Sequence, residues 1–185
     1  MGYCFIHSLG NARSLPQDKA DIVPTPYLLL VAFTWGHGKI NIVYFMQYNG
    51  LNDDLKSFAQ FVYIYETNIK NMQGGLNEFS HKYSRAYNMF VKNKLNKKIK
   101  YATTKEIASL KDEKKYPFYM TKQRFQVWDM CRHLRNSFAH ANLRVSGNTI
   151  VVTDKRLKRL TATGFLDYSS VKEFIVAIIK EYENK

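Results

Sequence analysis

Large apolar side chains recur at three- and four-residue intervals between residues 55 and 95, and this pattern most constrains the fold. Leu55, Phe58, Phe61/Val62, Tyr65 and Ile69 share one helical face. Gly74-Gly75 interrupts, and Phe79, Tyr83, Tyr87, Phe90/Val91 and Leu95 share the next. Two amphipathic helices joined by a two-glycine turn make an antiparallel pair. The spacing predicts one helix to about Met72, capped by Asn52 or Asp53, and a second over about Leu76–Leu95. Thr103 or Thr104 with Glu106 marks a short helix to about Lys111, and Tyr116-Pro117 breaks the chain after it. Thr121 is expected to cap a longer helix whose apolar face is Phe125, Val127/Trp128, Cys131, Leu134 and Phe138. Leu143–Val152 alternates around Ser146-Gly147-Asn148, a hairpin signal, and Leu160–Phe165 reads as a returning strand. Ser169 or Ser170 should cap a last helix that buries Val171, Phe174, Ile175, Ile178, Ile179 and Tyr182.

The expected fold class is mainly α: a four- or five-helix up-down bundle over residues 51–185, with a small β-hairpin insert before the last helix. Residues 1–50 read as an N-terminal arm. Within it, Tyr27–Trp35 and Ile40–Tyr48 are apolar runs separated by Gly36, His37, Gly38 and Lys39. Each run is too short to cross a bilayer, and a lysine at the centre of a span costs about 2.5–3.5 kcal/mol. A buried hairpin or helix pair is expected there, with no membrane association. The opening segment has no basic stretch followed by a long apolar run, so no signal peptide is read. Cys4 and Cys131 form no C-x-x-C, which fits a reduced, cytoplasmic protein.

Charge narrows the function classes. With 28 Lys and Arg against 15 Asp and Glu, the balance is +13, which calls for an anionic partner, nucleic acid first and an acidic protein or membrane surface behind it. Lys92, Lys94, Lys97 and Lys98, with Lys100, make one basic run, and Lys155, Arg156, Lys158 and Arg159 make another. Each reads either as a solvated face or as a phosphate contact. No H-E-x-x-H, phosphate-binding glycine loop or G-x-S-x-G elbow occurs, so no metal or cofactor is expected.

The densest chemistry lies in Arg132–Asn142. Arg132, Asn136 and His140 are four residues apart on one helical stripe, Arg135 reaches it from the side, and Leu134 and Phe138 face the core. One reading is an ordinary exposed face with His140 at the negative end of the helix dipole. The other is a site with two guanidinium groups, an amide and an imidazole.

Arg135-Asn136-Ser137-Phe138-Ala139-His140 resembles the R-N-x-x-x-H form of the motif of the HEPN superfamily (higher eukaryotes and prokaryotes nucleotide-binding domains). The segment from Met120 to Lys185, a motif-bearing helix followed by a hairpin and a closing helix, is similar to a bacterial and plasmid-borne subgroup. The resemblance implies a HEPN-like helical bundle that forms a homodimer through the motif-bearing helix. It further implies a metal-independent endoribonuclease acting in host defence or as a toxin, with an antitoxin or other regulatory protein as partner. His140 would be the acid–base group, Arg135 the phosphate stabiliser, and Asn136 the group holding their geometry. Arg132, Lys92, Lys94, Lys97, Lys98, Lys155 and Arg156 would be RNA contacts. In HEPN toxins silenced by a partnered nucleotidyltransferase, a Tyr two residues after the His is commonly the residue modified; here Asn142 stands there, so regulation by that route is not expected. The alternative is a non-catalytic RNA-binding or protein-interaction module on the same scaffold.

Overall fold

The computed structural model describes residues 54–110, 117–140, 142–157 and 159–184. The arm over residues 1–50, its two apolar runs and the Asn52 or Asp53 cap lie outside the described residues. The described elements are α1 (Leu55–Thr67), a 3₁₀ turn (Ile69–Asn71), α2 (Gly75–Lys82), α3 (Ser84–Lys92), α4 (Leu95–Lys98) and β1 (Ile99–Tyr101). They continue as α5 (Thr104–Ser109), β2 (Phe118–Met120), α6 (Gln126–Ala139), β3 (Leu143–Ser146), β4 (Thr149–Arg156), β5 (Arg159–Asp167) and α7 (Tyr168–Glu183).

The mainly α bundle is corrected by the sheet. Five strands run in the order β1-β2-β5-β4-β3, with β1 and β2 parallel and the remaining neighbours antiparallel. The architecture is α/β, and the expected hairpin forms part of a mixed sheet. β1-α5-β2 is the crossover that parallel neighbours require. The sequence gives no period for β1 and β2 because three residues are too few to display one. Their pairing is a long-range event. Gly164 of β5 has φ +143, and a Cβ there would meet the Pro117 carbonyl oxygen at 2.6 Å and Phe118 Cα at 2.7 Å. Glycine is therefore what lets β2 lie against β5.

The inner face of the sheet follows strict alternation. Ile150, Val152 and Asp154 of β4 are buried, in register with Leu166, Gly164 and Ala162 of β5. α6 packs on this face with α1 against it, and α7 packs on α1 and α3. Phe58 of α1 stacks on Phe138 of α6 with ring centroids 5.5 Å apart. Phe58, Phe61, Val62, Tyr65, Cys131, Leu134, Phe138, Phe174, Ile175 and Ile178 are all buried, as their spacing predicts. Val91 is 44 % exposed, so Phe90 alone carries that position of the α3 stripe.

The long helix expected over 76–95 is broken at Tyr83 (φ −130, ψ 54). The Glu181 carboxylate of α7 accepts hydrogen bonds from the backbone N–H of Arg85 (2.8 Å) and Ala86 (3.0 Å) and from the Ser84 hydroxyl (3.1 Å). A distant side chain thus supplies the N-terminal cap that starts α3. The α5 cap is local and legible: Thr103 and Glu106 form a reciprocal capping box. Thr121 does not cap α6. Its N–H bonds Thr161 O at 2.9 Å, continuing the β2–β5 pairing, and α6 starts after Phe125. Asp167, two and three residues before the expected serines, caps α7 by accepting from Ser170 N–H. Among the described residues no helix is long and apolar enough to cross a membrane.

Candidate functional site

α6 is enclosed along its length: none of residues 126–139 is exposed, and His140 at its C-terminal end is. The helix therefore displays chemistry only at its polar seam and its last turn. Two carboxylates on the helix and its neighbour strand organise that seam.

Asp129, fully buried, accepts from Gln123 N–H (3.1 Å), Arg124 N–H (3.2 Å) and the Tyr101 hydroxyl (3.1 Å). It ties down the loop before α6. Arg132 follows it: Nη2 lies 3.5 Å from Asp129 and donates to Thr121 O at 3.1 Å, and the guanidinium sits 5.9 Å from the Trp128 ring centre. Arg132 thus belongs to the packing of the α6 start and is linked to Asn136 only through His133 and Asp154.

His133 is fully buried. Its Nε2 is 2.8 Å from Arg132 Nη2, and its Nδ1 is 2.7 Å from Asp154 Oδ2. A guanidinium only donates, so Nε2 accepts and Nδ1 carries the proton that goes to Asp154. The same Asp154 oxygen accepts from Asn136 Nδ2 at 3.1 Å. Burial pushes the Asp154 carboxyl up, but hydrogen bonds from His133, Asn136 and Thr161 outweigh it and hold it below the ordinary carboxylate range.

Asp154 sets the direction of the Asn136 amide. With Nδ2 spent on Asp154, Oδ1 points the other way and accepts from Arg135 Nη1 at 2.9 Å. On its other side, Arg135 Nη2 meets Glu66 of α1 at 2.5 Å; both side chains are about one-sixth exposed, 17 % and 16 %. The guanidinium is therefore held at two points at the surface end of a chain of bonds that begins on the sheet. His140 lies one turn beyond Asn136, whose carbonyl accepts the His140 N–H at 2.9 Å, and its ring makes no hydrogen bond to a described residue.

The structure brings Arg135 and Asn136 into contact and leaves His140 exposed on the same end of the helix. It does not gather the lysines there. Lys92, Lys94, Lys97 and Lys98 are exposed around the α3–α4 junction. Lys98 lies close enough to Asp167, at the far end of β5, to help lower that carboxyl, behind the larger effect of Ser170. Lys155 and Arg156 are exposed at the opposite end of β4, where it turns into β5. Six residue steps from Thr149 to Lys155 put the two basic clusters about 20 Å apart along the sheet. The Asn142 carbonyl accepts from Thr153 N–H at 3.1 Å, so the end of α6 runs beside the Lys155 end of β4.

Sequence reasoning missed Asp154, His133 and Glu66. Asp154 had a signal: it continues the inward alternation Ile150, Val152 as an acid inside a basic stretch. Glu66 had none, because only the packing of α1 on α6 places it. Cys131 is core, its thiol pushed up by burial. Among the described residues no group of His, Cys, Asp and Glu could hold a metal ion. The chain matches no protein-family model, no curated protein and no solved structure.

Proposed function

We propose that this protein is a cytoplasmic, metal-independent endoribonuclease of HEPN type in its chemistry, with Arg135, Asn136 and His140 as its site. The observation that carries the reading is the contrast along one helix end. Arg135 and Asn136 are fixed by Glu66 and Asp154, while the His140 imidazole one turn on stands exposed. That division suits phosphodiester cleavage: a cation must be preorganised, and a proton-transfer group must reach the substrate.

RNA carries its own nucleophile. The 2′-oxygen attacks the adjacent phosphorus, the P–O5′ bond breaks, and a 2′,3′-cyclic phosphate and a 5′-OH result. His140 takes the 2′-OH proton, and the planar Arg135 fork stabilises charge on the phosphoryl oxygens. The departing 5′-oxygen needs a proton at the same time, which a second copy's His140 supplies if two chains meet at this end of α6. Because α6 is enclosed, such a homodimer forms at the C-terminal turn of the helix rather than along it. The role in defence or as a toxin, and an antitoxin as partner, follow from the resemblance alone.

A second reading has its own observation: the 2.5 Å Glu66 contact already neutralises Arg135. If RNA does not displace it, the protein binds RNA without cleaving it. The test compares the protein with its His140→Ala variant on single-stranded RNA and tRNA in EDTA, with end-group analysis. The expected result is cyclic phosphate ends, reduced about 10²–10⁴-fold in the variant. Equal, feeble cleavage by both sinks the catalytic reading and leaves the binding one.

A further inference from the structure

The turn between β4 and β5 carries two features that lower stability without any visible structural return. Leu157 sits at φ +48, in the left-handed region that a branched side chain disfavours, and is 88 % exposed. Arg156 and Arg159 are direct cross-strand partners, so two guanidinium groups stand opposite one another. Like charges in that arrangement repel. Lys155 adjoins them, and all three cations are exposed. None of the three forms an ion pair with a described residue. The nearest acid along the strand, Asp154, points inward and is occupied by His133 and Asn136. An anion placed between Arg156 and Arg159 removes the repulsion, and a flat apolar surface gives Leu157 somewhere to bury.

We infer that this hairpin tip is an RNA-docking element: Lys155, Arg156 and Arg159 hold backbone phosphates while Leu157 packs on a base or ribose face. The identity of the anion as RNA rests on the ribonuclease reading. The geometry favours it because the end of α6 runs beside β4 just before Lys155. Leu157 is two residues further, about 7 Å along the strand. A strand held at the tip is thus delivered to His140 within a few nucleotides. The lysine run at the α3–α4 junction, at the other end of the sheet, is no part of this surface.

The experiment measures binding of a fluorescein-labelled single-stranded 20-mer RNA to the full chain by polarisation, in EDTA, across a salt series. Arg156→Gln/Arg159→Gln is expected to weaken binding about tenfold or more. It should also flatten the log K against log salt slope by about 1.4, two contacts at about 0.7 each. Leu157→Gly is expected to weaken binding about three- to tenfold with the slope unchanged, because it removes apolar contact and no charge. The same variant should melt higher than the parent, since glycine accepts φ +48, so lost affinity is not lost folding. Unchanged affinity and slope in the double variant overturn the inference. So does a loss seen only in Lys97→Gln/Lys98→Gln. Leu157-dependent binding to phosphatidylserine vesicles without tip-dependent RNA binding also overturns it, in favour of a lipid surface. His140→Ala is carried in parallel. Tip-dependent binding with no cleavage by any form keeps this inference and removes the ribonuclease reading; cleavage indifferent to the tip does the reverse.

Discussion

Asp154 occupies a strand position that its neighbours Ile150 and Val152 fill with hydrocarbon, and it is 2 % exposed. A carboxylate is held there because two side chains of α6 donate to one of its oxygens. Replacing it with Ala strands the His133 Nδ1–H and the Asn136 amide in the interior, at about 1–3 kcal/mol for each unpaired group. The pH dependence has a defined sign. The folded carboxyl is lowered, so its stabilisation is complete above the unfolded value of about 4 and is lost as pH falls through the lower folded value. Urea unfolding of wild type and Asp154→Asn should therefore show a gap that is constant at neutral pH and closes below about pH 4. A gap that widens on acidification contradicts the assignment. At this scale the sequence was legible where partners are local. Leu134 and Phe138 read correctly as core, and Arg135 and Asn136 as neighbours. Arg132 did not, because the Thr121 carbonyl that captures it belongs to another element.

Helix ends show the same division between near and far. The Thr103–Glu106 box spans three residues and could be read directly; the Glu181 cap of α3 reaches back 96 residues to the Arg85 amide and could not. Glu181→Ala removes the acceptor of two backbone amides and a hydroxyl. It should cost about 1–2 kcal/mol, the upper range for a lost cap, measured by denaturant unfolding. Glu181→Gln, which keeps one oxygen, should recover part of it. The helical period of residues 76–95 is real and continuous, which is why one helix was expected. The apolar stripe survives the break because Phe79, Tyr83, Phe90 and Leu95 all remain buried. The hairpin 143–152 and its return strand were legible from alternation, whereas β1 and β2 were invisible for want of length.

For the whole molecule, helical periods alone predict a bundle because they do not say what covers the helices. α6 is enclosed on nearly every side, Asp129, His133 and Ser137 included, and a helix so covered needs a second layer to supply both hydrocarbon and hydrogen-bond partners. The sheet is that layer. It is unevenly built: β4 and β5 pair over eight positions, while β1 is held by three pairs to β2 alone. Hydrogen exchange should follow this order, with β4 and β5 amides exchanging only through global unfolding and β1 amides through local opening. Equal protection across all five strands would contradict it. The two basic clusters flank opposite ends of the same sheet, so a polyanion touching both must span about 20 Å, whereas one bound at the β4–β5 turn meets only the His140 end.

Asp154 and Lys155 are adjacent on β4 and face opposite ways, one into the interior and one into water, with the pairing to β5 shifting register between them. A strand slipped by one residue would exchange them, setting an ammonium against His133 and Arg132 and turning the carboxylate outward. An aligned β4 is thus the register in which Asp154 orients the Asn136 amide, and a slipped strand loses both of its bonds to α6. A single-residue deletion in 149–153 is consequently a folding lesion, however far it lies from His140 in the sequence.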